Sequence, residues 1–336
     1  MKRKVFVLLF FACFCHGQIP IDSIYVTIKR ESVHRNSIDW KTTDEVFHRQ
    51  LTGAKTADDT LNAVVEVFRQ LQDYHSNIQY LGRTFSNYPE FDEKQLQQLM
   101  PLVNLSNKNT GVFRRKIIDQ KFLYLQVPSI QAWGNDVNIA AKALSDSLCK
   151  GNLSKLKGVV IDLRLNGGGQ FSAMAGGLAM LLGEGYIGGG IDANNQTAYE
   201  FTIQSGNLWI GNFQATNVQH DCRSLASKIP VAILIGPNTR SSGSILALTF
   251  RGRKNTILIG EPTAEGYTTG NDYFAYMNGT IALNLATSFS TDRNRNVYRS
   301  SVNPDTTIFV GDDFEHPEKD EKVIKAVAWL KTIARK

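Results

Sequence analysis

Val231-Ala-Ile-Leu-Ile-Gly-Pro-Asn-Thr-Arg-Ser-Ser-Gly-Ser-Ile-Leu-Ala-Leu248 is an apolar run that breaks at Gly236-Pro237-Asn238 and resumes with helical spacing after Ser241-Ser242-Gly243. It predicts a buried strand, a sharp turn and a helix start. Two hydroxyls and a glycine at that turn set a candidate nucleophile beside free backbone amides, the arrangement that acyl transfer needs. Ser-Ser-Gly ahead of a helix is also an ordinary cap, so the stretch takes its meaning from its surroundings. No G-x-S-x-G occurs, which argues against an α/β-hydrolase elbow.

Around this stretch lie further short apolar runs at Phe122 to Val127, Gly158 to Leu163 and Thr256 to Ile259. Helical patterns separate them, at Val137 to Leu148, Ala173 to Leu182 and Ser244 to Phe250. Strands alternating with helices predict an α/β core with a largely parallel sheet. Tyr273 to Met277 and Thr280 to Ala286, joined through Asn278-Gly279, read as a hairpin. A last helix follows Pro317, with Val323, Ile324, Val327 and Leu330 as its expected buried side.

Upstream the texture is different. Residues 18–82 read as a helical segment whose best element starts at Thr56, Asp58 and Asp59, carries Leu61, Val64, Val65, Phe68 and Leu71, and stops before Asp73-Tyr74-His75-Ser76. Residues 83–110 read as a polar connector with one short helix at Glu93 to Met100, and 111–336 as the α/β core.

Lys2-Arg3-Lys4, the apolar run Val5 to Cys15 and His16-Gly17 form a secretory leader over residues 1–17. A run of that length is too short to span a bilayer, which takes about 20 residues, and no other run reaches that length. The mature protein is therefore expected to be exported, periplasmic or secreted. A lipid anchor at Cys13 is the alternative, although the usual leucine three positions earlier is missing. Losing the leader lowers the net charge from +6 to +3, so the basic balance gives no reason to expect a nucleic-acid partner. Only Cys149 and Cys222 remain, either as a disulfide worth about 4 kcal/mol or as two buried thiols. Neither sits in a CxxC pair or near a histidine, HExxH is absent, and no metal site is expected.

Two more constellations bear on the chemistry. Asp162-Leu163-Arg164-Leu165-Asn166-Gly167-Gly168-Gly169 follows a strand, and its glycines can turn amides toward an anion. GxGxxG and Gly-Lys are both missing, so no nucleotide or other cofactor is expected. Asp162 reads as a structural residue at the strand end; Arg164 beside it either pairs with that carboxylate or meets a substrate's terminal carboxylate, the structural role being preferred. His75 stands where a helix ends in a polar turn, whereas His34, His48, His220 and His316 show no partner pattern.

Five elements in order resemble the signature of the C-terminal processing (tail-specific) peptidases and tricorn-type serine proteases: Asp73-Tyr-His-Ser76, Val159-Val-Ile-Asp-Leu-Arg-Leu-Asn-Gly-Gly-Gly169, Asn238-Thr-Arg-Ser-Ser-Gly-Ser244, Ile259-Gly-Glu-Pro-Thr263 and Asn303-Pro-Asp305. The resemblance spans about residues 20 to 310. It implies a crotonase-like (ClpP/crotonase-type) α/β catalytic core behind an N-terminal helical segment, acting on polypeptide substrates. Ser241 matches the family nucleophile, His75 the general base of the tricorn-like branch, and the amides of Ser242 and of Gly168 or Gly169 the oxyanion donors.

The departures are informative too. The position of the lysine in the lysine-dependent branch is Gly266 here, and Ser244 stands where the family often has glutamate. No room exists for a PDZ module between 82 and 110, and the tricorn-type acidic position aligns near Tyr298. Ser76 and Glu261 are the candidates for orienting His75. A catalytically silent relative that binds a ligand or peptide is the alternative to a peptidase.

Overall fold

The computed structural model describes residues 19–151, 155–222 and 229–334; the expected leader, with Cys13, lies outside the described residues. Three amphipathic helices come first, α1 (Ile21–Glu31), α2 (Trp40–Gly53) and α3 (Ala57–Gln70). Thr56 caps α3: its hydroxyl accepts from the Asp59 amide while the Asp59 carboxylate accepts from the Thr56 amide. Such a cap contributes about 1 kcal/mol. A hairpin follows that the sequence reading lacked, β1 (Asn77–Tyr80) and β2 (Arg83–Ser86).

The expected short helix at 93–100 is instead α4 (Glu93–Lys108), which runs straight through Pro101. Pro101 and Gln97 are exposed, so water can reach the carbonyl that loses its partner at the proline. The last turns are anchored by Ser106, whose hydroxyl donates to the Leu165 carbonyl at 2.7 Å.

The rest of the chain supplies β3 (Arg114–Ile118), β4 (Phe122–Gln126), α5 (Asp136–Cys149) and β5 (Gly158–Asp162). Next come α6 (Phe171–Gly177) and α7 (Ala179–Leu182), where one helix was expected; the poor helix formers Gly176-Gly177 precede the break at Leu178. A meander of β6 (Gly185–Ile191), β7 (Thr197–Gln204), β8 (Asn207–Ile210) and β9 (Phe213–Gln214) leads to β10 (Val231–Ile235), α8 (Ser242–Phe250) and β11 (Thr256–Gly260). The long hairpin β12 (Thr269–Tyr276) and β13 (Ile281–Thr291), the short β14 (Val297–Tyr298) and β15 (Thr306–Thr307), and α9 (Glu321–Ile333) complete the chain.

The described strands form two sheets. One has the order β15-β11-β10-β5-β4-β3 and is parallel except for β3. Its central strands β4, β5 and β10 are buried at every position, as a doubly covered sheet requires. Val159 and Ile161 of β5, with Ile233 and Ile235 of β10, pack in the core that holds residues of α5, α6 and α8. Val160, Ala232 and Leu234 point the other way, into the cluster with Val323, Val327 and Leu330 of α9. The second sheet has the order β2-β1-β13-β6-β7-β8-β9, with β12 and β14 also paired to β13. Residues of α1 to α3 pack with Ile78 of β1 and Ile281, Leu283 and Leu285 of β13. The N-terminal helices are thus joined to the core through a strand, β1, that pairs with β13 in register Ile78 to Leu283.

Cys149 and Cys222 form a disulfide, Cα to Cα 5.2 Å, which ties the end of α5 to the chain ahead of β10 across a separation of 73 residues. Ile324, expected on the buried side of α9, is 51% exposed, because the buried stripe runs through Val323, Ala326, Val327 and Leu330. Truncating Leu330, which is fully buried, should cost about 2–5 kcal/mol. In denaturant titrations Leu330→Ala is expected to show that loss, while Ile324→Ala stays within about 0.5 kcal/mol of the parent.

Candidate active site

Two turns at the C-terminal ends of neighbouring parallel strands build one half of the site. After β10, Thr239 closes the first turn: its amide donates to the Gly236 carbonyl at 2.8 Å and its hydroxyl to the Leu163 carbonyl at 2.8 Å. Ser241 then stands just before α8 with φ 53° and ψ −129°. A non-glycine residue in so sparsely populated a region costs on the order of 1–3 kcal/mol, and the surroundings must hold it there. The Arg240 amide donates to the Asn166 carbonyl at 3.1 Å, and the Ser242 hydroxyl donates to the Gly169 carbonyl at 2.7 Å, locking this turn to the glycine turn after β5.

Close approach explains the glycines. A Cβ on Gly168 would stand 2.8 Å from the Ser241 Cβ, and one on Gly243 would stand 2.6 Å from the Asn166 carbonyl oxygen. Gly168 also has φ +106°, a conformation that L side chains rarely adopt. Its amide donates to Asn166 Oδ1 at 3.0 Å. Ser244, in place of the frequent glutamate, is buried and donates to the Thr239 carbonyl at 3.2 Å.

The other half comes from the turn between α3 and β1. Asp73, almost fully buried, accepts from the amides of His75 and Ser76 at 2.9 Å each and from the Ser76 hydroxyl. The Ser76 hydroxyl in turn accepts from the Ala286 amide of β13 at 2.8 Å. That turn brings His75 Nε2 to 2.9 Å from Ser241 Oγ, across 166 residues of chain. On the far side of the ring, His75 Nδ1 lies 2.7 Å from Thr269 Oγ1, whose hydroxyl donates to Asn271 Oδ1 at 3.1 Å. With the threonine proton so engaged, Thr269 Oγ1 accepts from Nδ1–H. Nε2 is then left as the lone-pair nitrogen facing the serine hydroxyl.

Burial pushes the His75 imidazole down to about 4; the nearby Asp73 carboxylate opposes that shift and the Arg240 guanidinium adds to it. The ring is therefore neutral at physiological pH. Tyr267 meets it edge-on at 5.1 Å.

Thr269 takes the place for which Ser76 and Glu261 were the candidates. Ser76 spends its hydroxyl on Asp73 and Ala286, and Glu261 pairs with the buried Lys322 at 2.7 Å. Lys322 also reaches Asp312 at 2.8 Å, and Arg164 bonds Asp162 at 2.6 Å and Asp320 at 2.8 Å. Arg164, Asp162 and Glu261 are thus parts of a buried ion network that fastens the start of α9 to the strand ends. Tyr298 donates to Asp292 at 3.1 Å, away from the histidine's hydrogen bonds. At Gly266, the aligned lysine position, φ is +79° and a Cβ would come within 2.9 Å of Tyr74. Glycine suits that place and lysine does not. Among the described residues no group of three or more His, Cys, Asp or Glu side chains is placed to hold a metal ion, and no helix is long and apolar enough to cross a membrane.

Residues 121–308 match the sequence profile of peptidase family S41. A nisin-resistance protein of Lactococcus lactis subsp. lactis is 32% identical over 189 residues, which are 56% of this chain and 57% of that protein, so the match spans little more than half the length of either. A lipoprotein from Streptococcus agalactiae superposes over 93% of this chain and 95% of its own with a TM-score of 0.69 at 20% identity. The photosystem II D1 C-terminal processing protease does so over 86% and 92%, with a TM-score of 0.51 at 13% identity. At such identities the likeness is one of fold, the expected α/β class with a helical N-terminal segment. With its family profile matched over more than half of the sequence, the chain belongs to peptidase family S41.

Proposed function

We propose that this protein is an exported serine peptidase that cleaves polypeptides with Ser241 as nucleophile and His75 as general base. The observation that carries the reading is the 2.9 Å approach of His75 Nε2 to Ser241 Oγ. Neutral His75 takes the serine proton as Oγ attacks the scissile carbonyl. The developing oxyanion is met by the Ser242 amide at the start of α8 and by an amide of the glycine turn. Because the Gly168 amide is engaged by Asn166, the Gly169 amide is the second donor in this scheme. Imidazolium then protonates the leaving amine, and a water activated by the same nitrogen releases the acyl group. Thr269 is a positioning residue: it keeps Nδ1 protonated and the ring aimed.

The strained Ser241 supports catalysis over silent binding, since a serine serving only as a cap has no need of that conformation. Export is supported by the Cys149–Cys222 disulfide, a bond at home in oxidising compartments. In this reading the helical segment 18–82 supplies the base, 83–110 connects, and 111–336 supplies the nucleophile. Nisin belongs among the substrates to test, given the name of the Lactococcus relative.

A fluorophosphonate probe is expected to label the mature protein, and Ser241→Ala to abolish both labelling and peptide turnover; labelling that survives the substitution removes Ser241 from the mechanism. His75→Ala should lower kcat by about 10²–10⁴-fold.

The pH dependence follows from the depressed imidazole. The neutral ring is the active form, so kcat/KM is lost as pH falls through the folded value of about 4, instead of near the ordinary 6.5. Stability moves the same way: between about 6.5 and 4 the unfolded chain takes up the proton first, so acid destabilises the fold over that window. A pH–rate profile with its acid limb at 6.5 would contradict this assignment.

Thr269→Val removes the Nδ1 acceptor and should lower kcat about tenfold to a hundredfold with little change in KM. Thr269→Ser should restore most of the rate, which distinguishes a lost hydrogen bond from lost packing.

A further inference from the structure

Beside the Ser241–His75 pair lies a cavity of about 350 Å³. One side is the serine turn itself, through Pro237 and Arg240; another is the arm between β2 and α4, through Tyr88 and Phe91, with Leu99 of α4. Tyr267, in edge-on contact with His75, lines it as well. Asn87 pins the arm, its Nδ2 donating at 3.3 Å to the carbonyl of Asp73 in the histidine turn. The serine turn therefore lines this cavity, and the histidine turn holds its arm through Asn87.

Its charged groups are unequal. Glu261 is committed to Lys322, Glu265 accepts from the Ser300 hydroxyl at 3.2 Å, and Glu90 is exposed. Arg240 has no carboxylate partner among the described residues. Its side chain is half-buried against Gly167, with Nε 3.5 Å from where a Cβ on that glycine would stand, and it shares the cavity wall with Tyr267. A half-buried arginine with no carboxylate partner keeps donors of its guanidinium free for a ligand. Its planar fork of donors matches a carboxylate, and the rings around it match an apolar side chain.

We propose that this cavity is a substrate subsite that takes an apolar or aromatic residue together with a carboxylate, which Arg240 holds. The carboxylate is either the free end of the polypeptide or an acidic side chain next to the apolar residue. The inference rests on the peptidase reading of Ser241, and binding tests it apart from turnover.

The Ser241→Ala protein is titrated with four labelled peptides that share one apolar-aromatic sequence. Two differ in a free or an amidated C-terminus; two are amidated and carry an internal glutamate or glutamine. At least one charged peptide is expected to bind about tenfold more tightly than its neutral twin, and which pair shows the difference identifies the carboxylate that is read. Arg240→Gln in the same background should bring that ratio close to one and Arg240→Lys should keep part of it, with thermal unfolding reporting that both are folded. If Arg240→Gln fails to fold, the ratio in the parent and in Arg240→Lys decides. Absent or equal binding by the parent overturns the proposal, as does a preference that survives Arg240→Gln. Fluorophosphonate labelling of the wild-type protein separates the two readings: carboxylate preference without labelling retains the subsite and removes the peptidase, and labelling without preference does the reverse.

Discussion

The interlock between the turns after β5 and β10 is the contact on which the rest of the site depends. Parallel pairing sets Leu234 beside Asp162, so both strands release their chains at the same edge of the sheet. Crevices at the carboxyl ends of parallel strands are where such sheets place ligands. Here the two turns touch so closely that neither tolerates a Cβ at the contact: Gly168 faces Ser241, and Gly243 faces Asn166. The hydrogen bond from Arg240 to Asn166 and that from Ser242 to Gly169 hold Ser241 in a backbone conformation that it would leave if the turn were free.

The histidine reaches this edge from the other sheet, and its delivery is also a matter of buried hydrogen bonds. Asp73 gathers three donors from His75 and Ser76, and Ser76 passes the anchorage on to β13. The neutral Thr269 orients the ring without adding a negative charge next to it. A carboxylate at that place would stabilise imidazolium and raise its pKa; a hydroxyl leaves the burial effect dominant, which keeps the ring unprotonated. Orientation and basicity are thus set by different groups, Thr269 for the first and the buried setting with Asp73 and Arg240 for the second.

Much of the fold was legible because its signals are local. The central strands of the parallel sheet are almost wholly apolar, α3 begins with a reciprocal cap, and Asn278-Gly279 turns the hairpin with positive φ at both residues. β1 and β2 escaped notice because each has four residues of mixed polarity and owes its place to β13. The far half of α4 was hidden behind Pro101, and Lys322 reads as a solvated helix residue although an ion network buries it. At the site, the chemical types and turn positions of Ser241 and His75 could be read from the sequence. Thr269 could not: a threonine in a strand carries no local mark, and its partner lies 194 residues away.

The stretch that matches the family profile begins at residue 121. It contains Ser241, the glycine turn and Thr269, yet the histidine facing the serine lies upstream of it, on a strand-linked helical segment. The two side chains that meet at 2.9 Å thus come from opposite sides of the profile's start. Sequence change confined to residues upstream of 121 can remove the imidazole that faces Ser241 while the stretch matched by the profile stays intact.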